Sequence, residues 1–363
     1  MTRSHSPSAS ETPSKPLQLD LALQGGGSHG AFTWGVLDRL LQEEWLEIDA
    51  ISGTSAGAMN AVALAAGLMD GGREGARRVL RCFWSRVAEL SPFHHIERHP
   101  LGPWFSPQNP WLAPWLEPMK QAGRLFGSQL SPYQFNPLNL NPLRGILEQT
   151  VDFERVRRCH KTRLFIAATQ VRTGALRVFK QTELTPDMVL ASACLPLLFQ
   201  AVEIDGEAYW DGGYAGNPTL MPLIADSPAD DLLLVQINPI ERVELPKRAS
   251  DILERIGEVT FNTSLLKELR SIALLKQLIG EDDRPAHPYQ HPLFERVAAL
   301  RLHLLDGGAS LAPLGADSKT KTDWAFLHQL HELGFGAAER WLAQHGAALG
   351  QRSSFDLTQV IAA

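Results

Sequence analysis

The chain has 363 residues, 44% of them hydrophobic, enough to bury a large core in one big domain or two smaller ones. Its formal net charge is −6, from 34 basic and 40 acidic residues without a block of one sign, which argues against bulk nucleic-acid binding. Three widely spaced cysteines, Cys82, Cys159 and Cys194, form neither a disulfide framework nor a metal-ligand pattern; they point to a reducing compartment, and neither a metal nor a cofactor is expected.

Residues 1–16 are rich in Ser, Thr and Pro, lack the apolar stretch of a signal peptide, and read as a disordered leader. No run is long and apolar enough to cross a bilayer, and residues 61–69 fall well short. A cytoplasmic location follows as the expectation, with any membrane contact peripheral. Leu17 to Leu23 alternates and then turns apolar, the pattern of a buried first strand. It enters Gln24-Gly25-Gly26-Gly27-Ser28-His29-Gly30, after which Phe32, Val36, Leu37, Leu40 and Leu41 mark the inner face of a helix. Consecutive glycines can turn several N–H groups toward one anionic oxygen, which is what an oxyanion hole requires. Gly25, Gly27 and Gly30 also fit a dinucleotide fingerprint. That motif wants an acidic residue at the end of the second strand, and here Asp49 stands near its start.

The second strand, around residues 48–51, runs into Gly53-Thr54-Ser55-Ala56-Gly57 and then a helical run from Ala58. A serine at the apex of a sharp strand-to-helix turn projects its hydroxyl outward. Small neighbours let substrate approach, and the helix N-terminus, beginning at Ala56, offers N–H groups to developing negative charge. An ordinary helix N-cap is the blander reading of Ser55.

Residues 71–90 read as another helix with Arg73, Arg77 and Arg81 on one face, most simply a solvated one, with contact to an anionic headgroup as the alternative. Residues 91–142 break the pattern: they are proline-rich, with Trp104, Trp111 and Trp115 close together. This insert is read either as a lipid-facing cap over the site or as a small core of its own. Regular structure returns with a strand at Arg163 to Gln170, a turn at Thr173-Gly174, and a hairpin with Asp205-Gly206 at its tip. The hairpin ends in Asp211-Gly212-Gly213, where a carboxylate at a strand end could act as general base to a nearby serine or simply cap a turn. Further strands are expected at residues 231–237 and 300–305, and helices at 249–279 and 324–342.

These motifs, in this order, resemble the patatin-like phospholipase family of serine lipid acyl hydrolases. The likeness rests on Gly25-Gly26-Gly27-Ser28-His29-Gly30, Gly53-Thr54-Ser55-Ala56-Gly57, Ala191-Ser192-Ala193-Cys194-Leu195-Pro196-Leu197-Leu198-Phe199 and Asp211-Gly212-Gly213. Alternating strands and helices imply an α/β sandwich with a mainly parallel central sheet, and the resemblance implies the same fold in three layers. It also implies a Ser55–Asp211 dyad, an oxyanion hole drawn from Gly25, Gly26, Gly27 and Ala56, and a lipid or other acyl ester as substrate. His29 departs from the resemblance, because many members of the family carry Arg or Lys there. The domain reading places the catalytic unit at residues 17–225, including the insert, with a C-terminal α/β extension over residues 226–363 packed on it. A Ser-Asp-His triad would need a histidine after Asp211, from among His287, His291, His303, His328, His331 and His345; His287 and His291, in a proline-rich loop, stand where one could sit. Two rival functions stay open: a nucleotide-dependent enzyme using the glycine loop, and a non-catalytic membrane- or partner-binding protein on the same fold.

Overall fold

The computed structural model describes residues 15–90, 130–242, 244–281 and 291–357. Nearly all of the leader, the tryptophans at 104, 111 and 115, and His287 lie outside the described residues. The strands are β1 (Leu17–Leu23), β2 (Leu46–Gly53), β3 (Arg163–Gln170), β4 (Leu176–Lys180), β5 (Val202–Ile204), β6 (Glu207–Asp211), β7 (Asp231–Gln236) and β8 (Arg301–Asp306). They form one eight-stranded sheet in the order β5-β6-β3-β2-β1-β7-β8, with β4 also paired to β3. The run from β3 through β2, β1 and β7 to β8 is parallel, whereas β4, β6 and β5 are antiparallel additions on the β3 side.

Side chains on β1 sort by the two-residue period of a strand. Leu19, Leu21 and Leu23 enter one apolar layer with α1 (Gly30–Leu40), α2 (Ala56–Glu89) and α5 (Trp324–His345). Ala22 faces the opposite layer, with Leu232 and Leu234 of β7 and with Leu265, Leu269 and Ile272 of α4 (Ala249–Glu281). A shorter helix, α3, spans Pro186–Ser192. Helices on both faces make the sandwich, and cover on both sides explains why the central strands read as apolar runs. β7 and β8 extend the same sheet, so residues after 225 share the core of those before it.

Glycines set the tightest approaches. A Cβ at Gly35 of α1 would sit 2.0 Å from the His331 carbonyl oxygen of α5, and one at Gly334 of α5 would sit 1.9 Å from that of Phe32. These two helices therefore cross with their backbones touching. The hairpin tip is built from Asp205 (φ 51°) and Gly206 (φ 80°), the pair of positive dihedrals that a two-residue turn of this hand demands. α2 is interrupted at Gly71 and Gly72 (φ 63°, ψ −145°), so the second helix expected from residue 71 is present. Its arginines are less solvated than the sequence suggests. Arg73 donates to the carbonyls of Leu41, Glu43 and Leu46, and Arg77 pairs with Asp38 at 2.5 Å; only Arg81 is exposed. Arg73 thus holds the loop between α1 and β2 and Arg77 holds α1 itself, which removes two of the three as contacts for an anionic headgroup.

Candidate active site

The parallel strands β1 and β2 end side by side, so the loops that follow them converge. After β2 the chain turns through Ser55, whose backbone adopts φ 54° and ψ −121°. A non-glycine residue in this region is strained and persists only where its surroundings enforce it. Three contacts do so. Thr54 N–H donates to the Leu23 carbonyl at 3.3 Å, and Thr54 Oγ1 donates to the Gly216 carbonyl at 2.6 Å. Ser55 N–H donates to Ser192 Oγ, at the C-terminal end of α3, at 2.9 Å. Gly57 lets α2 approach β1 closely, since a Cβ there would meet the Leu23 carbonyl oxygen at 2.2 Å. Ala56 opens α2, so its N–H has no partner within the helix.

β6 brings Asp211 to the same end of the sheet. Its N–H donates to the Cys194 carbonyl at 2.8 Å and its own carbonyl accepts from Thr169 Oγ1 at 2.8 Å. Residues 192–194 therefore hold the backbones of both Ser55 and Asp211, a role that sequence pattern could not assign to that stretch. The Asp211 side chain is fully buried. Oδ1 accepts from Gly213 N–H at 2.7 Å, while Oδ2 has no partner of full hydrogen-bond geometry. Burial pushes its pKa from 3.8 up to about 7, against the pull of the Gly213 N–H and of the Ser55 hydroxyl that faces it. Cys194 beside it is no competing nucleophile, because burial and the neighbouring Asp211 charge push its thiol up to about 12.

The glycine loop after β1 lies against this pair: a Cβ on Gly25 would be 2.6 Å from that of Ser55. Four buried amides hold it. Gln24 donates to the Asn217 carbonyl (3.2 Å) and to Asn262 Oδ1 (3.1 Å), and its Oε1 accepts from the N–H groups of Ile237 and Asn238, both at 2.9 Å. Asn238 Nδ2 donates to the Gly25 carbonyl at 2.6 Å. Asn217 Oδ1 accepts from Gly25 N–H at 2.7 Å. Gly25, one of the four residues the resemblance implied for an oxyanion hole, therefore has its N–H engaged, which leaves Gly26, Gly27 and Ala56 as the candidate donors. Gln24, Asn238 and Asn262 carry no spacing signal.

His29 is buried, with Nε2 2.6 Å from Ser318 Oγ and Nδ1 unpartnered. Burial, helped by the nearby Lys319 charge, lowers its pKa to about 4, so the ring is neutral at physiological pH. Lys319 also roofs the loop: Gly27 has φ 59°, and a Cβ there would lie 2.3 Å from the Lys319 carbonyl oxygen. Gly27→Ala is expected to displace the loop and its Gly27 N–H; with that N–H as the oxyanion donor the sequence resemblance implies, ester turnover should fall at least about a hundredfold. Gly26→Ala should be milder, because its φ of 173° is ordinary extended backbone and its Cβ would meet the movable tip of Ile237. Steady-state kinetics on the two variants checks the ranking.

His291, His303 and His331, described histidines that follow Asp211, are engaged elsewhere. His291 Nδ1 accepts from Leu293 N–H and caps its own helix. His303 binds Asp231 and Ser354, and His331 binds Asp38. Among the described residues no histidine hydrogen-bonds to Ser55 or Asp211. Asp49, the acidic residue weighed for a nucleotide ribose, pairs with Arg163 and accepts from Ser227 Oγ, away from the glycine loop. His328, His331 and Glu332 on α5 bring nitrogen and oxygen atoms together. They lie outside the converging loops described above.

A family profile for patatin-like phospholipases matches residues 21–224, more than half of the chain, including the glycine loop, the Ser55 turn and the Asp211 turn. The chain belongs to the patatin-like phospholipase family. No curated protein sequence matches it. Among solved structures, VipD from Legionella pneumophila is similar at 15% identity, over 87% of this chain and 67% of that one, with a TM-score of 0.36. Full-length ExoU in complex with SpcU, from the type III secretion system of Pseudomonas aeruginosa, is similar at 15% identity, over 92% of this chain and 79% of that one, with a TM-score of 0.27.

Proposed function

We propose that the protein is a serine acyl hydrolase that cleaves carboxylic esters of lipids through Ser55 and Asp211. The observation that carries this reading is the strained Ser55 facing a fully buried carboxylate with one free oxygen. Asp211 takes the Ser55 proton as Oγ attacks the ester carbonyl. The tetrahedral oxyanion accepts from Gly26 N–H, Gly27 N–H and Ala56 N–H. Collapse expels the alcohol, which receives the proton from Asp211, and the acyl group stays on Ser55. Asp211 then activates water to release the acid. A carboxylate is a weak base for a serine hydroxyl, so the donors must supply several kcal/mol of the barrier reduction. Raising the Asp211 pKa by burial narrows the mismatch.

Apolar side chains support a lipid rather than a small polar ester. Leu197 is 81% exposed, Leu198 follows it, and Tyr214 beside the Asp211 turn is half uncovered. The described end of the insert adds Tyr133, Phe135, Leu138 and Leu140, all exposed. It is tied to the Leu197 loop by Gln200 Nε2 donating to the Asn136 carbonyl at 2.7 Å. Clustered exposed apolar groups of this kind suit an aggregated substrate. A nucleotide fits less well, because Gly25 N–H is engaged and Gly25 rests on Ser55 itself.

The test is labelling by an active-site serine phosphonate, followed by an ester panel varied in head group and chain length. Wild type should label at a single site that Ser55→Ala abolishes, and should hydrolyse lipid esters. An unlabelled wild type without esterase activity would leave the non-catalytic binding protein as the reading.

A further inference from the structure

We propose that Lys319 and Asn238 are positioning residues that polarise the oxyanion hole through the Gly25–Gly26 peptide. This rests on the acyl-hydrolase reading above. Lys319 Nζ donates to Asn238 Oδ1 at 2.9 Å, and Asn238 Nδ2 donates to the Gly25 carbonyl oxygen at 2.6 Å. That carbonyl belongs to the same planar amide as Gly26 N–H, one of the three oxyanion donors. The orientation of the Asn238 amide is fixed by its partners, since an ammonium can only donate and a carbonyl can only accept. Asn238 is buried, and its own N–H is held by Gln24, so the relay has little freedom to move.

A donor on an amide oxygen draws electron density through the C–N bond and makes the N–H on the other side a stronger donor. Here the chain of donation begins at a cation, and charge-assisted bonds are about twice as strong as neutral ones. The oxyanion would thus meet a Gly26 N–H already polarised by a charge two hydrogen bonds away. The arrangement offsets His29, the one position in the glycine motif that departs from the family pattern. His29 brings no charge when neutral, whereas Lys319, from a segment nearly 300 residues later, brings one to the same loop.

The backbone around Lys319 has a separate, structural role. Its carbonyl packs on Gly27, and Ser318 Oγ binds His29. Neither contact involves the ammonium, so side-chain substitution at 319 separates charge from packing. Losing an oxyanion donor outright costs about 100- to 1,000-fold, and polarisation changes a bond by about 10–30%. Removing the Lys319 charge should therefore lower kcat by roughly fivefold.

The experiment compares wild type with Lys319→Gln, Lys319→Arg and Asn238→Asp on one soluble ester. Lys319→Gln can still donate to Asn238 but carries no charge, and should lose about fivefold in kcat with KM and Tm held. Lys319→Arg should recover most of that loss. Asn238→Asp keeps an acceptor for Lys319 but cannot donate to Gly25, and should lose at least as much as Lys319→Gln. The pH profile adds a signature that packing alone would not give. Burial lowers the Lys319 pKa below its usual range, against Glu258 and Glu254, with Arg242 acting in the same direction as burial and His29 neutral alongside. Wild-type kcat should thus decline on the alkaline side as the ammonium deprotonates, and Lys319→Arg should extend that limb to higher pH. A Lys319→Gln kcat within twofold of wild type overturns the relay, as does a loss that tracks Tm and leaves the alkaline limb unmoved. Wild-type labelling and turnover are measured in the same series. If they are intact, such a result defeats only the relay; if they are absent, the hydrolase reading falls and the relay with it.

Discussion

Ser55→Ala and Asp211→Asn should each lower ester turnover by at least about a thousandfold while the fold is kept. Neither change disturbs the backbone contacts that shape the turn, which run through Thr54, Ser192, Cys194 and Thr169. Asn at 211 can also retain the Gly213 N–H bond through its carbonyl oxygen. What disappears is the nucleophilic oxygen in one case and the proton acceptor in the other, and since the two act as a unit the double variant should be little worse than either single one. The acceptor must be ionised to work. With its pKa raised to about 7, the fraction of active enzyme should climb as pH rises through that value, placing the acid limb of kcat/KM near neutrality rather than near 4. His291→Ala should cost little, because that ring caps its own helix and bonds neither Ser55 nor Asp211. An inactive His291→Ala of normal stability, or residual activity of Asp211→Asn above a tenth of wild type, would defeat the dyad.

Much of this arrangement was legible in the sequence because local chemistry wrote it there. Glycines flanking Ser55, three glycines after a buried strand, and Asp-Gly at a hairpin tip each encode backbone geometry that few other residues allow. The fold class followed from strand and helix periods, and the bounds of β1 and β3 coincide with the apolar runs that announced them. The supporting shell was not legible. Gln24 reaches Asn262 across 238 positions, and Asn238 reaches Gly25 across 213. A single buried amide leaves no periodic trace, and only tertiary structure reveals what it satisfies. Lys319 was equally silent, lying in a short 3-10 turn with no motif around it. Arg73 misled for a related reason: helical spacing shows that arginines share a face, not that carbonyls of a neighbouring loop will claim it.

Asp211→Asn should also be more stable than wild type at pH 8, although it is inactive. In the unfolded chain Asp211 ionises near 3.8, whereas in the folded protein burial holds its pKa near 7. Because the folded value is the higher one, the folded state keeps a proton between about pH 4 and 7 that the unfolded chain has already released. Stability from this group is therefore greatest below pH 4, declines as pH rises to about 7, and is level above that. The penalty at pH 8 is of order 2–4 kcal/mol, the free-energy equivalent of that separation with allowance for relaxation around the site. Asn carries no charge to desolvate, and its amide can donate toward the Ser55 hydroxyl in place of the unpartnered Oδ2. A poor fit of the amide would lower stability by a similar amount at every pH. The decisive quantity is thus the difference in stability between variant and wild type, followed from pH 4.5 to pH 8 by urea unfolding. It should grow in favour of Asn across that interval by about 2 kcal/mol or more. A flat difference would mean that Asp211 ionises near its ordinary value, and the neutral-pH acid limb assigned to it would have to come from another group.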